Sequence, residues 1–176
     1  MLKSVLVVVA ALVAGPMLTA LPAAAQEALA ARTLTEVCLP YANRVQSLEK
    51  SVRAARALEF RRSVADTAPL DDWASEVELV SKDGVWRLRI EEGSVEHDGV
   101  PAYRLSCSIS SQRASARELA DLGRRAFRNE VYWSSPVDNA WRWDRRHASP
   151  GEYALAVEVS ERPGPRPAMV VTGAYF

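Results

Sequence analysis

Apolar residues change their spacing several times along this chain, and each change marks an element. Val5–Ala14 (VLVVVAALVA) is an unbroken apolar run behind Lys3, cut by Gly15 and Pro16 and followed by the small residues Ala23-Ala24-Ala25. A positive start, a short apolar stretch and an A-x-A site are the three zones of an export signal, so cleavage after Ala25 is expected. A membrane-spanning helix needs about 20 apolar residues, and this run is interrupted before that. Residues 1–25 therefore read as a cleaved signal peptide and 26–176 as a single exported domain, periplasmic or secreted, with no membrane span in the mature form. The absence of cysteine near Ala25 excludes a lipid-modified N-terminal cysteine.

Residues 26–32 read as an Ala-rich lead-in. Leu34, Val37, Cys38, Tyr41, Val45 and Leu48 then recur at three- and four-residue steps, the stripe of a helix. Thr33 and Glu36 have capping-box spacing at its start. Pro40 disagrees with an unbroken helix, and predicts either a kink or a regular part that begins there. Ser47 is placed to cap a second helix, with Val52, Ala55 and Leu58 inward and Arg53 and Arg56 outward.

Beyond the loop-like stretch 66–73 the period falls to two. Val77 and Leu79 alternate with Glu76 and Glu78, and Asp83-Gly84 signals a hairpin turn. Trp86, Leu88 and Ile90 alternate with Arg87, Arg89 and Glu91, and Tyr103, Leu105, Cys107 and Ile109 with Arg104, Ser106 and Ser108. Residues 92–101 carry Gly93, Asp98-Gly99 and Pro101 and read as turns. Helical spacing returns at Ser115–Arg128, with Ser115 and Glu118 as a capping box and Leu119, Leu122, Ala126 and Phe127 as the buried stripe. Tyr153, Leu155, Val157 and Val159 form a fourth strand, and Met169–Phe176 a last one after a Pro-rich connector. No internal repeat is visible. The pattern predicts an α+β fold: an antiparallel sheet of about five strands, with two N-terminal helices and one further helix packed on one face.

Charge adds one exclusion. The chain has 22 basic and 22 acidic residues, and removal of Lys3 leaves 21 against 22, a net of −1. A nucleic-acid partner calls for a basic excess, so none is expected. The charges are segregated, with ten acids and three bases over Asp66–Asp98, and six bases and two acids over Arg44–Arg62. Solvated faces of neighbouring elements account for this better than a binding patch.

Cys38 and Cys107 are the two cysteines. Each shares a face with apolar neighbours, so both thiols point into one core, and in an oxidising compartment they are expected to form a disulfide. Closing a loop of about 70 residues stabilises the fold by on the order of 4 kcal/mol.

Candidate chemistry is thin. His97, near Glu91 and Glu92, lacks a second histidine at ligand spacing and reads as part of a polar hairpin tip, so no metal is expected. His147 follows Arg145 and Arg146, and no nucleophile elbow supports a pairing with Ser149. Asp71-Asp72, a conceivable acid pair for sugar hydrolysis, sits in a Pro-containing loop where turns and caps use such residues. No nucleotide-binding motif occurs, so no cofactor is expected.

The unusual segment is Tyr132–His147 (YWSSPVDNAWRWDRRH), inside a gap of about 24 residues between helix and strand, longer than most connections. Tyr132, Trp133, Trp141, Arg142, Trp143 and Arg145 are the candidate binding residues, since aromatic and arginine side chains dominate interaction hot spots and stack on sugar rings. Alternation of Trp141 and Trp143 about Arg142 fits a short strand closing the core, and packing at the core or its rim is the somewhat better account of the segment. The expected role is a non-enzymatic protein that binds an envelope protein or cell-wall glycan. The alternatives are a small enzyme acting on cell-wall material and a glycan or small-molecule binding module.

Overall fold

The computed structural model describes residues 23–63, 76–97, 99–127, 132–137, 140–145, 154–160 and 166–175. Helix α1 (Ala23–Arg32) passes directly into a π-helical turn, Thr33–Cys38, and then into α2 (Leu39–Ala42). Pro40 explains the wide turn. Proline has no N–H, and its ring crowds the carbonyl four residues back, that of Glu36. Widening the helix by one residue lets the Leu39 N–H donate to Leu34, while the Glu36 carbonyl accepts from Gln46 Nε2 at 3.4 Å. The chain is thus neither broken nor restarted at Pro40; the π-turn absorbs it.

The capping box expected at Thr33 does not form. Thr33 lies inside the helical path and is buried, its hydroxyl donating to the Leu29 carbonyl at 2.8 Å. Glu36 instead pairs with Arg32 at 2.7 Å. The lead-in at 26–32 is itself helical, so the helix needs no cap at Thr33. The second helix, α3 (Leu48–Ala57), starts where expected, with Ser47 Oγ accepting from the Lys50 N–H at 3.3 Å. Val52, Ala55 and Leu58 are buried, and Arg53 and Arg56 are exposed.

The strands are β1 (Phe60–Arg62), β2 (Glu76–Ser81), β3 (Trp86–His97), β4 (Val100–Ser111), β5 (Tyr132–Val137), β6 (Ala140–Arg145), β7 (Ala154–Ser160) and β8 (Ala168–Tyr175), with α4 (Ala116–Ala126) between β4 and β5. They form one eight-stranded sheet, ordered β1-β2-β3-β4-β8-β7-β6-β5, and every neighbouring pair is antiparallel. The fold class is as expected. The strands beyond about five are β1, too short to show a period, β5, whose Ser134-Ser135-Pro136 hides the alternation, and β6, the short strand that Trp141 and Trp143 allowed. Pro136 is tolerated because β5 ends the sheet order and has one side free of the ladder.

Residues 92–101 are not a run of turns. The β3–β4 ladder continues to the pair His97–Val100, and Gly99, at φ +78°, supplies the left-handed residue of the tip. At the β2–β3 turn Gly84 has φ +72° and donates to the Ser81 carbonyl at 2.8 Å.

The sheet order consists of two four-stranded meanders that meet at β4 and β8, each preceded by a helical segment. The second half repeats the first in reverse order across the junction, as an approximate two-fold axis between β4 and β8 would produce. No repeat of residues accompanies this repeat of elements.

Helices cover one face. α2 lies over β4 and β8, α3 over β1 and β3, and α4 over β7 and β8. Between helices and sheet Leu34, Val37, Tyr41, Leu119 and Ala120 meet Leu79, Leu88, Ile90, Ile109, Val157 and Val171, all fully or almost fully buried. Cys38 and Cys107 are bonded within this layer, their Cα atoms 5.1 Å apart across a sequence separation of 69. The bridge fastens the first helical segment to β4, in the central pair of strands. On the other face stand the polar residues of the period-two pattern. Arg87 pairs with Glu78 at 2.6 Å, Arg89 with Glu76 at 2.8 Å and Glu91 at 3.0 Å, and Arg104 with Glu91 at 3.5 Å.

Candidate functional site

The aromatic–arginine segment forms the β5–β6 hairpin at one end of the sheet order. Trp141 stands opposite Val159, and Trp143 opposite Val157, in the β6–β7 register. Both valines are core residues, and Trp141 is partly buried against that core. Arg142 stands opposite Glu158 and pairs with it at 3.2 Å. Neighbours along one strand point to opposite faces, so Trp141 and Arg142 belong to different surfaces of the sheet. Tyr132 pairs in register with Arg145 and Trp133 with Asp144; the side chains of Tyr132, Trp133, Trp143, Arg145 and His97 lie outside what is described. Asp71, Asp72 and His147 lie outside the described residues altogether. Among the described residues no three imidazole, thiolate or carboxylate groups come together as metal ligands would.

Two clusters absent from the sequence reading occupy opposite ends of the β3–β4 ladder. At one end Tyr41 reaches from α2 toward the sheet, its hydroxyl 3.1 Å from both the Glu91 carbonyl and Glu92 Oε2. Burial, reinforced by the Glu92 charge, pushes its pKa far above the ordinary tyrosine value. Tyr103 interacts with the same carboxylate and faces Tyr175 across β4 and β8. The Tyr175 hydroxyl donates to the Ala42 carbonyl at 2.9 Å, and burial pushes its pKa up to about 12. The Arg44 guanidinium lies 4.7 Å from the Tyr175 ring centre, a cation–π contact. Arg44 has φ +57°, so the chain turns sharply there after α2. The hydroxyls of Tyr41 and Tyr175 are both bonded inside the protein, which marks this end as a structural cap on the core.

At the other end lies a cavity of about 340 Å³, between the start of α1, one side of α4 and the Trp86–Ser111 pair of β3 and β4. Trp86, Ala114 and Leu122 supply its apolar wall, and Gln26, Glu27, Ser111, Arg113, Glu118 and Arg125 its polar one. Two of the charges are bound to each other, since Arg125 of α4 pairs with Glu27 of α1. A third is held by the helix it begins. The Glu118 carboxylate accepts from the Ser115 N–H at 2.7 Å and the Ser115 hydroxyl at 2.9 Å, while Ser115 Oγ accepts from the Glu118 N–H. This is the expected capping box, and its donors hold the Glu118 pKa below the usual carboxylate value. Trp86 is 5 % exposed, and its indole N–H is buried without an acceptor among the described residues.

Trp86 was visible in the sequence as an inward strand residue, and Leu122 as part of the α4 stripe. That they face one space with α1 depends on the fold. Comparison with protein-family models, curated proteins and solved structures finds no match to this chain.

Proposed function

We propose that this protein is exported, loses residues 1–25, and serves in an oxidising compartment as a non-catalytic binding module, with the cavity between α1 and α4 as its ligand site. The cavity carries this reading. Its volume of about 340 Å³ is at the low end of the range of small-molecule sites, and Trp86, Ala114 and Leu122 give it an apolar wall among six polar or charged residues. The compartment is supported by the leader pattern and by the Cys38–Cys107 bond, because disulfides persist where thiols are oxidised. Among the described residues no helix is long and apolar enough to cross a membrane. Cleavage after Ala25 would make Gln26, a residue of the cavity wall, the first of the mature chain.

The test is a binding screen of small acids, bases and neutral compounds against protein starting at Gln26, read by ligand-observed NMR. Ala114 is partly buried at the cavity wall, just before the cap of α4, so Ala114→Trp fills the space. Its melting temperature and circular dichroism check folding. Hits lost in Ala114→Trp support the site; a screen without hits overturns it. Intact mass of the exported protein tests the processing: a chain beginning at Gln26 is expected, and one beginning at Met1 refutes export with cleavage.

A second reading keeps the 132–147 segment as a docking surface for cell-wall glycan. Its support is the position of β5 at the end of the sheet order and the aromatic residues Tyr132, Trp133, Trp141 and Trp143 that the hairpin carries. Sedimentation with cell-wall material should then be lost in Trp133→Ala and retained in Ala114→Trp.

A further inference from the structure

The four charges around the cavity, Glu27, Glu118, Arg113 and Arg125, sum to zero but are unequally engaged. Glu27 is matched by Arg125 across the two helices. Glu118 is occupied by the donors of Ser115 at the start of α4. Arg113 remains. Its guanidinium is exposed at the wall, and among the described residues it has no carboxylate partner. Behind it the space is bounded by the Trp86 ring and Leu122, both nearly buried. A cationic guest would find both carboxylates already engaged. An anionic one meets a free guanidinium, with planar geometry suited to a carboxylate. A wholly polar guest would leave the Trp86 and Leu122 wall unmatched, and apolar surface is where burial contributes most.

We propose that this cavity takes a small amphiphilic carboxylate, its charged end at Arg113 on the rim and its apolar body against Trp86 and Leu122. The arrangement leaves the carboxylate partly hydrated and desolvates only the apolar part, so no buried charge is left unpaired. This assignment rests on the reading of the chain as a binding module.

Phenylacetate and its neutral isostere phenylacetamide, titrated calorimetrically into protein starting at Gln26, separate the two. Phenylacetate should bind at one site and at least tenfold more tightly than phenylacetamide. Arg113→Gln, a change at an exposed position, should weaken phenylacetate at least tenfold and leave phenylacetamide within twofold. Higher salt should weaken the carboxylate alone. Tryptophan emission should change on binding, and the change should vanish in Trp86→Phe; a change that persists there places the guest elsewhere and overturns the assignment. Equal affinity for both probes, lost for both in Ala114→Trp, overturns the carboxylate assignment while leaving the cavity as a ligand site. If neither probe binds but the broader screen yields hits that Ala114→Trp abolishes, the ligand class is again wrong and the site stands. If nothing binds in either experiment, both fall together.

Discussion

At the residue scale the two ends of the β3–β4 ladder respond to pH in opposite directions. Glu118 is held below its usual range by the Ser115 donors. Its contribution is therefore present above the unfolded pKa of about 4.3 and is lost as pH falls through the lower folded value. Ser115→Ala should cost about 1 kcal/mol at pH 7, as N-cap removals do, and less in acid, where Glu118 is protonated; urea melts at both pH values check this. The tyrosines behave the other way. Burial raises Tyr175 to about 12 and Tyr41 further. Stability from their neutral forms is complete below the unfolded value of about 10 and is lost as pH rises through the folded values. Ultraviolet titration should show a late tyrosine fraction that ionises together with unfolding. A single transition near the ordinary pKa, with the fold intact, would contradict the packing of Tyr41 and Tyr175.

At the element scale the polar face of β2–β4 depends on one arginine more than its neighbours. Glu76 and Glu91 stand directly opposite each other, an unfavourable like-charge pair. Arg89 lies between them in charge, bonded to both. Arg89→Ala removes two attractive contacts and exposes the repulsion, so it should cost about 0.5–1 kcal/mol. Arg104→Ala, which loses a single 3.5 Å contact to Glu91, should cost less, in keeping with exposed ion pairs generally. Both effects should shrink at high salt, and equal losses in the two variants would argue against the bridging role. The helical layer depends instead on the disulfide. Replacing Cys38 and Cys107 by alanine removes a cross-link across 69 positions, and should destabilise the fold by on the order of 4 kcal/mol, read as a fall in the urea midpoint.

At the scale of the whole molecule the two meanders share one core. Residues of β2, β3 and β4 and residues of β7 and β8 belong to a single buried cluster with all the helical segments. The β4–β8 ladder joins the halves through eight register pairs, from Tyr103–Tyr175 to Ser110–Ala168. Repetition of elements therefore does not mean independent halves. Thermal unfolding followed by near- and far-ultraviolet circular dichroism should give coincident curves, and a fragment ending at Ala114 should not fold, since it exposes the buried side of β4. Two separated transitions would show that the halves are autonomous.

Local pattern was sufficient for the elements whose period survives in the residues themselves. Ser47 and Ser115 start helices because a cap is a short-range bond. Val77, Leu79, Leu88 and Ile90 face the core because one side of a strand is wetted. Cys38 and Cys107 meet because both lie on apolar faces that have only one core to enter. Thr33–Glu36 misled for the complementary reason: a helix that already exists upstream leaves nothing to cap. The alternation of Trp141 and Trp143 about Arg142 suggested β6, whereas β5 was hidden by Ser134-Ser135-Pro136 and becomes a strand by pairing with β6. The aromatic–arginine segment looked like one patch because residues adjacent in sequence were read together, whereas a strand sends Trp141 and Arg142 to opposite faces. The cavity could not be read at all. Gln26, Trp86, Arg113 and Leu122 come from four separate elements, and only the packing of α1 and α4 over the end of the sheet places them around one space. Staple and fold class follow from short-range physics in the chain; the candidate binding site is decided by tertiary contacts between residues far apart in it.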